Sequence, residues 1–380
     1  MSWLLGTADL ARRRWFEQVG PIVGPLAWIT HAGSWNPGAA SAFLSRNALT
    51  FVVAASRATV LSCSAGWPGY LAARFGALTA WSLLDGPVAP ASGALSLNPN
   101  LDNMKDYFGL SAKGTIGAGF AILEMQALNY PWFGHWEEAF FLPGVKTPDF
   151  VFARTGVIAA VEAKCTEQVD PNLTNLLKGT WREQVRDSGS WGMDEGWVIA
   201  TCFNDPAGAA LERAFGMFPA AAAAAAAAAP GVAPAVGPPP PPVTFADAVQ
   251  CVLHGMLRWV WKFSNQADEN AQAAPTLVRG VIGPLVDSVR LLQANTDGNE
   301  VAGEPFTLRM EDGRMLRMTP LCSLNVLAAL ANALEHPNNA TWPDPGPWVD
   351  DADDSMAMTT GAAKAWLQDG TGARFAWAID

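Results

Sequence analysis

The sequence is poor in the residues that build disulfide frameworks and zinc sites. Its 380 residues include five cysteines and four histidines. No two cysteines form a CxxC pair, and the histidines show no metal-ligand spacing. The odd number of cysteines favours reduced thiols in the cytoplasm over a secreted, disulfide-stabilised fold. A helix-turn-helix, a zinc finger and an ATPase motif are also missing, which argues against a familiar repair enzyme or motor-driven restriction enzyme.

Charged residues and long apolar runs are scarce as well. Charged residues make up 16% of the chain and hydrophobic residues 50%, which is typical of a packed globular protein. The net charge of -11 argues against non-specific coating of nucleic acid, although a local site could still meet phosphate. The apolar run 49–67 carries Arg57 and is shorter than the roughly 20 residues of a membrane span. The N-terminus lacks the charge order of a secretory signal, so we expect a soluble, cytoplasmic protein.

A low-complexity tract divides the sequence. Residues 218–245 hold an alanine tract followed by a proline-rich tract, which predicts a linker without a packed core. The expected organisation is a mainly helical region over 1–113, a core domain over 114–217, this linker, and a region over 246–380. That last region is predicted to be mainly helical, with a β-hairpin whose turn contains Asp312 and Gly313.

The hydrophobic pattern of the core predicts an α/β domain. Its elements follow the order α-β-β-β-α-β: a helix over 115–128, strands over 135–144, 148–153 and 156–165, a helix over 172–189, and a strand over 196–203.

Charged residues lie where two of these strands meet. Val157–Val161 is a continuous apolar run, typical of a central strand covered on both faces. Glu162 and Lys164 follow it on one face of the strand, and Asp149 begins the neighbouring strand. Two carboxylates so close repel each other unless a divalent cation such as Mg²⁺ or Mn²⁺ lies between them. A lysine beside that cation can orient or deprotonate an attacking water.

These residues resemble the motif of the PD-(D/E)XK nuclease superfamily, the fold of many restriction endonucleases. Pro148-Asp149 matches the PD element, and Glu162-Ala163-Lys164 matches the (D/E)XK element. The resemblance covers only the α-β-β-β-α-β region. It implies a restriction-endonuclease-like core with a mixed sheet. It further implies that Asp149, Glu162 and the carbonyl of Ala163 bind Mg²⁺ or Mn²⁺, while Lys164 positions the water.

Two further polar residues fit positions that relatives use. Glu124 shares the inward face of the first helix with Phe120 and Leu128, where the family often places an acidic metal-associated residue. Gln184 follows Trp181 at helical spacing, where relatives carry a glutamine or lysine that orients water or contacts phosphate. The alternatives are a surface glutamate on a differently phased helix and a glutamine satisfied by backbone groups.

Each of these residues also has an interpretation without chemistry. Asp149 could cap a turn, and Glu162 and Lys164 could form an ordinary salt bridge at a strand end. His135, just before a core strand, and Cys165, on the strand face opposite Lys164, are expected to be structural.

The function that the resemblance implies is metal-dependent hydrolysis of phosphodiester bonds. DNA is favoured over RNA by family frequency alone. The expected setting is phage defence, or a toxin or effector delivered to another cell. The alternatives are an RNA-directed nuclease and a non-catalytic interaction protein that keeps the nuclease-like core. A protein partner could bind through the flanking regions.

Overall fold

A seven-stranded mixed β-sheet forms the centre of the structure. The computed structural model describes residues 14–22, 43–59, 84–85, 96–97, 106–136, 146–168, 172–205, 208–218, 243–259, 301–303, 306–309, 313, 315–344, 349–350, 363–368, 371 and 373–379. The elements are, in chain order, β1 (Arg14–Ile22), β2 (Phe43–Asn47), α1 (Ala48–Thr59), β3 (Leu84–Asp85), β4 (Ser96–Leu97), α2 (Asp106–Ala127), β5 (Trp132–His135), β6 (Phe150–Arg154), β7 (Val157–Thr166), α3 (Asn172–Thr180, continued by a π-turn over Trp181–Val185 and a 3₁₀ turn over Arg186–Trp191), β8 (Glu195–Asp205), β9 (Gly208–Met217), α4 (Phe245–Trp259), β10 (Val301–Gly303), β11 (Phe306–Arg309), β12 (Met315–Ser323), α5 (Leu324–Glu335), β13 (Val349–Asp350), β14 (Ala363–Gln368) and β15 (Ala373–Ile379).

The strand order of the central sheet is β2-β1-β9-β8-β7-β6-β5. β5, β6 and β7 pair antiparallel, β7 and β8 pair parallel, and β8 and β9 pair antiparallel. α2 precedes this set and α3 connects the two parallel strands, as a parallel crossover requires. The predicted α/β class, the mixed sheet and the α-β-β-β-α-β order are therefore confirmed.

Helices cover both faces of the central strand β7. Side chains alternate along a strand, so Glu162 and Lys164 face one side while Ala163 and Cys165 face the other. α2 packs on the side of Ala163, so closely that a Cβ on Gly117 would lie 2.8 Å from the carbonyl carbon of Lys164. α3 covers the opposite side, because a side chain of its π-turn hydrogen-bonds to Glu162. This double cover explains the apolar run that precedes the two charged residues.

Two strands of the core differ from their predictions. The strand predicted over 135–144 is instead the aromatic segment Trp132–His135, and residues 137–145 lie outside the described residues. β9 was not predicted, because its sequence GAALERAFGM is rich in residues that favour helices. Pairing with β8 on one side and β1 on the other overrides that local preference.

The described part of the region over 1–113 contains strands as well as helices. β1 and β2 pair with each other and extend the central sheet, with β1 parallel to β9. α1 is helical, as is the start of α2, which begins at Asp106 and therefore crosses the predicted boundary at 113. The apolar patch over 68–83 lies outside the described residues.

The described part of the region over 246–380 contains more strands than the single hairpin that was predicted. β10 to β15 form a second, six-stranded antiparallel sheet. The predicted hairpin is present as β11 and β12, and Gly313 between them has a φ of 86°. The apolar spacing over 244–263 and 323–336 predicts helices, and α4 and α5 occur there. A third helix predicted in the same way over 276–292 lies outside the described residues. Among the described helices, none is both long enough and apolar enough to cross a membrane.

One continuous hydrophobic core joins the central sheet to the C-terminal segment. Trp132 of β5 stacks on Trp342, with ring centroids 5.9 Å apart. The buried Arg57 of α1 donates a hydrogen bond of 2.9 Å to the hydroxyl of Thr371. The tract 219–242 of the predicted linker lies outside the described residues, and Phe218, just before it, stacks on Trp181 of α3. The C-terminal segment thus packs directly on the central unit.

The contact between β5 and α4 can be tested at Gly134. A Cβ at this position would lie 2.6 Å from the backbone carbon of Cys251 in α4. We expect Gly134→Ala to lower the free energy of unfolding by about 1–3 kcal/mol, because strand and helix must separate. Urea unfolding of the whole chain measures it.

Gly255→Ala is the matched control for this change. It lies in α4 beside the same strand, and its Cβ would meet only the carbonyl oxygen of Phe133 at 3.7 Å. Alanine replaces glycine there within a helix, so the control should unfold at the same or a higher urea concentration. Equal stability of the Gly134→Ala variant and the parent would contradict the packing of α4 on β5.

Candidate active site

The two predicted carboxylates lie side by side at the junction of β6 and β7. Phe150 pairs with Val161, so Asp149 lies next to Glu162 just before β6 begins. The Asp149 backbone N–H donates to Glu162 Oε2 at 3.1 Å, and the Ala163 N–H donates to Asp149 Oδ2 at 2.9 Å. These reciprocal bonds hold each carboxylate against the backbone of the neighbouring segment.

Lys164 and Gln184 converge on the same carboxylate. The Lys164 ammonium forms an ion pair with Glu162 Oε1. Gln184 Nε2 donates to that same oxygen at 2.8 Å and lies 3.5 Å from the carbonyl oxygen of Thr147. The structure therefore brings together four of the predicted site residues, Asp149, Glu162, Lys164 and Gln184.

Burial sets the electrostatics of Glu162. Its side chain is fully buried, whereas Lys164 is 30% exposed and Asp149 is exposed. Burial, and to a lesser degree the negative charge of Asp149, together raise the pKa of the Glu162 carboxyl to about 8. The Lys164 ammonium acts in the opposite direction on this pKa without cancelling the rise. Because burial is the largest cause of the rise, a bound cation that stabilises the ionised carboxylate would lower this pKa.

The π-turn of α3 holds the segment that leads into Asp149. Glu183 is exposed and forms an ion pair with Lys146. The next residue, Gln184, reaches the carbonyl of Thr147. Two consecutive residues of the turn thus contact two consecutive residues just before Asp149. Single π-turns inserted into helices are frequent at functional sites. Lys146 was missed from the sequence, since no motif marks it.

The structure places Glu124 apart from these residues. Glu124 does face inward as predicted, but its Oε1 accepts a hydrogen bond of 2.8 Å from Arg213 of β9, and both residues are buried. Arg213 lies in register with Ile199, which lies in register with Ala163. The pair is consequently on the α2 face of the sheet, opposite Glu162.

His135 and Cys165 have structural surroundings. His135 is buried, and its Nε2 lies 3.0 Å from the carbonyl oxygen of Arg57. Cys165 is half-buried on the α2 face, and burial raises the pKa of its thiol to about 12. A thiol that stays protonated at neutral pH is a poor nucleophile, in agreement with its predicted structural role.

A second polar cluster lies at the opposite end of the same strands. Glu195 at the start of β8 accepts hydrogen bonds from Tyr130, from Arg154 at 3.1 Å and from the indole of Trp197 at 3.3 Å. Burial and the adjacent carboxylate raise the pKa of Tyr130. Every donor is directed at one buried carboxylate, so the cluster stabilises the fold. The sequence offered no motif for it.

The donor set suits a hard divalent cation. Asp149, Glu162 and the Ala163 carbonyl are oxygen donors, and Mg²⁺ binds through one or two carboxylates while it keeps several waters. The residues that the structure describes contain no cluster of three or more His, Cys, Asp and Glu side chains able to hold a metal ion. Two carboxylates and one carbonyl would leave the remaining coordination positions of such an ion to water or substrate.

Comparisons of the chain with protein-family models, with curated proteins and with solved structures found no match.

Proposed function

We propose that this protein is a metal-dependent nuclease that hydrolyses phosphodiester bonds, with DNA as its preferred substrate. The observation that carries the proposal is the convergence of Asp149, Lys164 and Gln184 on the buried carboxylate of Glu162. The resemblance to PD-(D/E)XK nucleases adds the choice of reaction. Phage defence, or delivery as a toxin, is the biological setting that we propose for such an activity.

Asp149, Glu162 and the Ala163 carbonyl would hold Mg²⁺ or Mn²⁺. When bound, such an ion supplies Lewis acidity toward a phosphoryl oxygen and makes a coordinated water more acidic. Asp149 is exposed and so can face both solvent and substrate, while the buried Glu162 stays anchored.

Lys164 would act on the water and on the phosphoryl group. Its ammonium is partly exposed and already lies against Glu162 at the mouth of the site. From there its N–H groups can orient an attacking water and stabilise negative charge that develops on the phosphoryl oxygens. Gln184 fixes the orientation of Glu162 through the bond to Oε1, and the Ala163 N–H orients the Asp149 carboxylate through its bond to Oδ2.

Removal of either carboxylate tests the proposal. We expect Asp149→Ala and Glu162→Ala each to weaken Mn²⁺ binding and to abolish cleavage of supercoiled plasmid, because each removes an anionic oxygen from a small donor set. The assay uses DNA and RNA substrates with Mg²⁺, Mn²⁺ or EDTA, and isothermal titration gives the metal affinity.

Asp187→Ala is a matched control, since this exposed aspartate forms an ion pair with its neighbour Arg186. It should bind Mn²⁺ and cleave as the parent does. Cleavage that persists in EDTA, or parental metal affinity in both carboxylate variants, would contradict the proposal. Preferential cleavage of RNA would keep the chemistry and change the substrate.

A non-catalytic interaction protein is the second candidate, and one observation favours it. Glu162 has an ammonium, an amide and a backbone N–H as partners, so the charges of the site are satisfied within the chain. A retired site could keep such a network for stability. In that case the carboxylate variants would lower the melting temperature and leave metal binding and nucleic acids unaffected.

A further inference from the structure

The Lys146–Glu183 ion pair lies at the edge of the candidate site and has no role in the chemistry proposed above. Lys146 precedes Asp149 by three residues, and Glu183 precedes Gln184 by one. The two side chains are 66% and 56% exposed. Both Lys146 and, more weakly, Lys164 lower the pKa of Glu183, which shows that this carboxylate lies in the field of both ammonium groups.

An exposed pair of this kind is inexpensive to break. Ion pairs between solvent-exposed side chains stabilise proteins by about 0–1 kcal/mol, because water and salt screen the attraction. Lys146 can therefore leave Glu183 for a stronger anion at little cost. Its flexible stem and its three donors suit a phosphate oxygen.

The charge of the chain makes such an exchange useful. A protein with a net charge of -11 repels a nucleic acid on average, and the exposed Asp149 adds to this repulsion at the site. Binding of a polyanion therefore needs local cations that are accessible. Lys146 is accessible and lies in the segment that carries Asp149, so it fits a phosphate next to the one that is cleaved.

We infer that Lys146 is a phosphate-contacting residue for a nucleic-acid strand, and that Glu183 holds this lysine in place until the strand displaces it. The inference rests on the proposed function, because the strand is the substrate of that same site. It adds a binding residue that was not among the predicted site residues. It also implies that Glu183 lowers the affinity for the strand, because this carboxylate competes with phosphate for the lysine.

The test measures binding without cleavage. The full chain is titrated, in EDTA, against a fluorescently labelled DNA duplex and a single-stranded RNA over a range of KCl concentrations. We expect Lys146→Met to bind more weakly and to reduce the slope of log Kd against log salt by about 0.9 for DNA. Between about 50 and 200 mM KCl, the loss of affinity caused by salt would then be about 3.5-fold smaller than in the parent.

Glu183→Gln should have the opposite effect and bind more tightly than the parent. Its gain should shrink when Lys146→Met is also present, because the competition that it relieves no longer exists. If the pair only braces the structure, the two single variants would change affinity in the same direction, and the inference would be overturned.

Lys178→Met and Asp187→Asn are the matched controls. Lys178→Met changes the net charge as Lys146→Met does, and Asp187→Asn changes it as Glu183→Gln does. Lys178 and Asp187 lie on the same helix as Glu183, and Asp187 forms an ion pair with Arg186. We expect parental slopes from both and parental melting temperatures from all four single variants. If Lys178→Met reduces the slope as much as Lys146→Met does, the effect comes from the loss of any nearby positive charge, and the assignment to Lys146 is overturned.

Failure of this inference and failure of the proposed function give different results. A parent that binds with the expected slopes but cleaves neither substrate with Mg²⁺ would leave the Lys146 contact standing and reject the nuclease. If the parent cleaves, and the Lys146 and Glu183 variants bind nucleic acid as the parent does, the nuclease proposal stands and the Lys146 contact is rejected. A parent that binds neither nucleic acid in EDTA would overturn the inference.

Discussion

Lys164→Ala is expected to lower the rate of phosphodiester cleavage by roughly 100-fold or more at saturating Mg²⁺. The ammonium that orients water and stabilises developing charge is lost, while Asp149, Glu162 and the Ala163 carbonyl remain. Mn²⁺ should therefore still bind, and more tightly than in the parent, because a positive charge beside the carboxylates has gone. Single-turnover cleavage of plasmid and isothermal titration with Mn²⁺ separate the two effects.

Lys113→Ala provides the control for Lys164→Ala. Lys113 is 29% exposed, close to the 30% of Lys164, and it also forms an ion pair with a glutamate, Glu167. Loss of such a pair alone should leave cleavage at the parental rate. A Lys164→Ala variant that cleaves as fast as Lys113→Ala would show that the ammonium has no part in catalysis.

Arg213→Met is expected to destabilise the fold by about 3–5 kcal/mol, because it takes the guanidinium away from the buried carboxylate of Glu124. Chemical denaturation of the whole chain measures this loss. The double variant Arg213→Met/Glu124→Met should recover most of the stability, since apolar side chains of similar volume replace a buried pair at little cost.

The same pair decides the role of Glu124. If Glu124 is only a structural partner of Arg213, Glu124→Gln lowers the free energy of unfolding and leaves the Mn²⁺ affinity as in the parent. If Glu124 is the metal-associated residue that the family resemblance implies, Glu124→Gln lowers the Mn²⁺ affinity instead. The position of Glu124 on the α2 face, opposite Glu162, favours the structural outcome. Parental stability of Arg213→Met would contradict it.

The geometry of the candidate site could be predicted because it depends on short-range rules. Alternation along one strand places Glu162 and Lys164 on a common face, and a tight β6–β7 hairpin brings Asp149 beside them. Helical spacing after Trp181 directs Gln184 to the same face. None of these relations needs knowledge of the rest of the chain.

What could not be predicted depends on partners distant in sequence. Glu124 was correctly placed on an inward face, but its partner Arg213 lies 89 residues away on a strand that was itself missed. β9 has the composition of a helix and becomes a strand because β8 and β1 flank it. The Lys146–Glu183 pair joins two surface positions that no periodicity relates.

The parallel pairing of β1 with β9 bears on any attempt to isolate the motif-bearing segment. A fragment cut at residues 114–217, the limits of the predicted core domain, would lack β1 and also α4, which packs against β5. At one edge of its sheet, the N–H and C=O groups of β9 that pair with β1 would be unpaired. At the other edge, β5 would be exposed where α4 had covered it. Open margins of this kind recruit further strands, so such a fragment would self-associate before its chemistry could be assayed. The segment that carries the motif therefore depends on β1 and α4, which lie outside it, to pair one edge of its sheet and to cover the apolar face of the other.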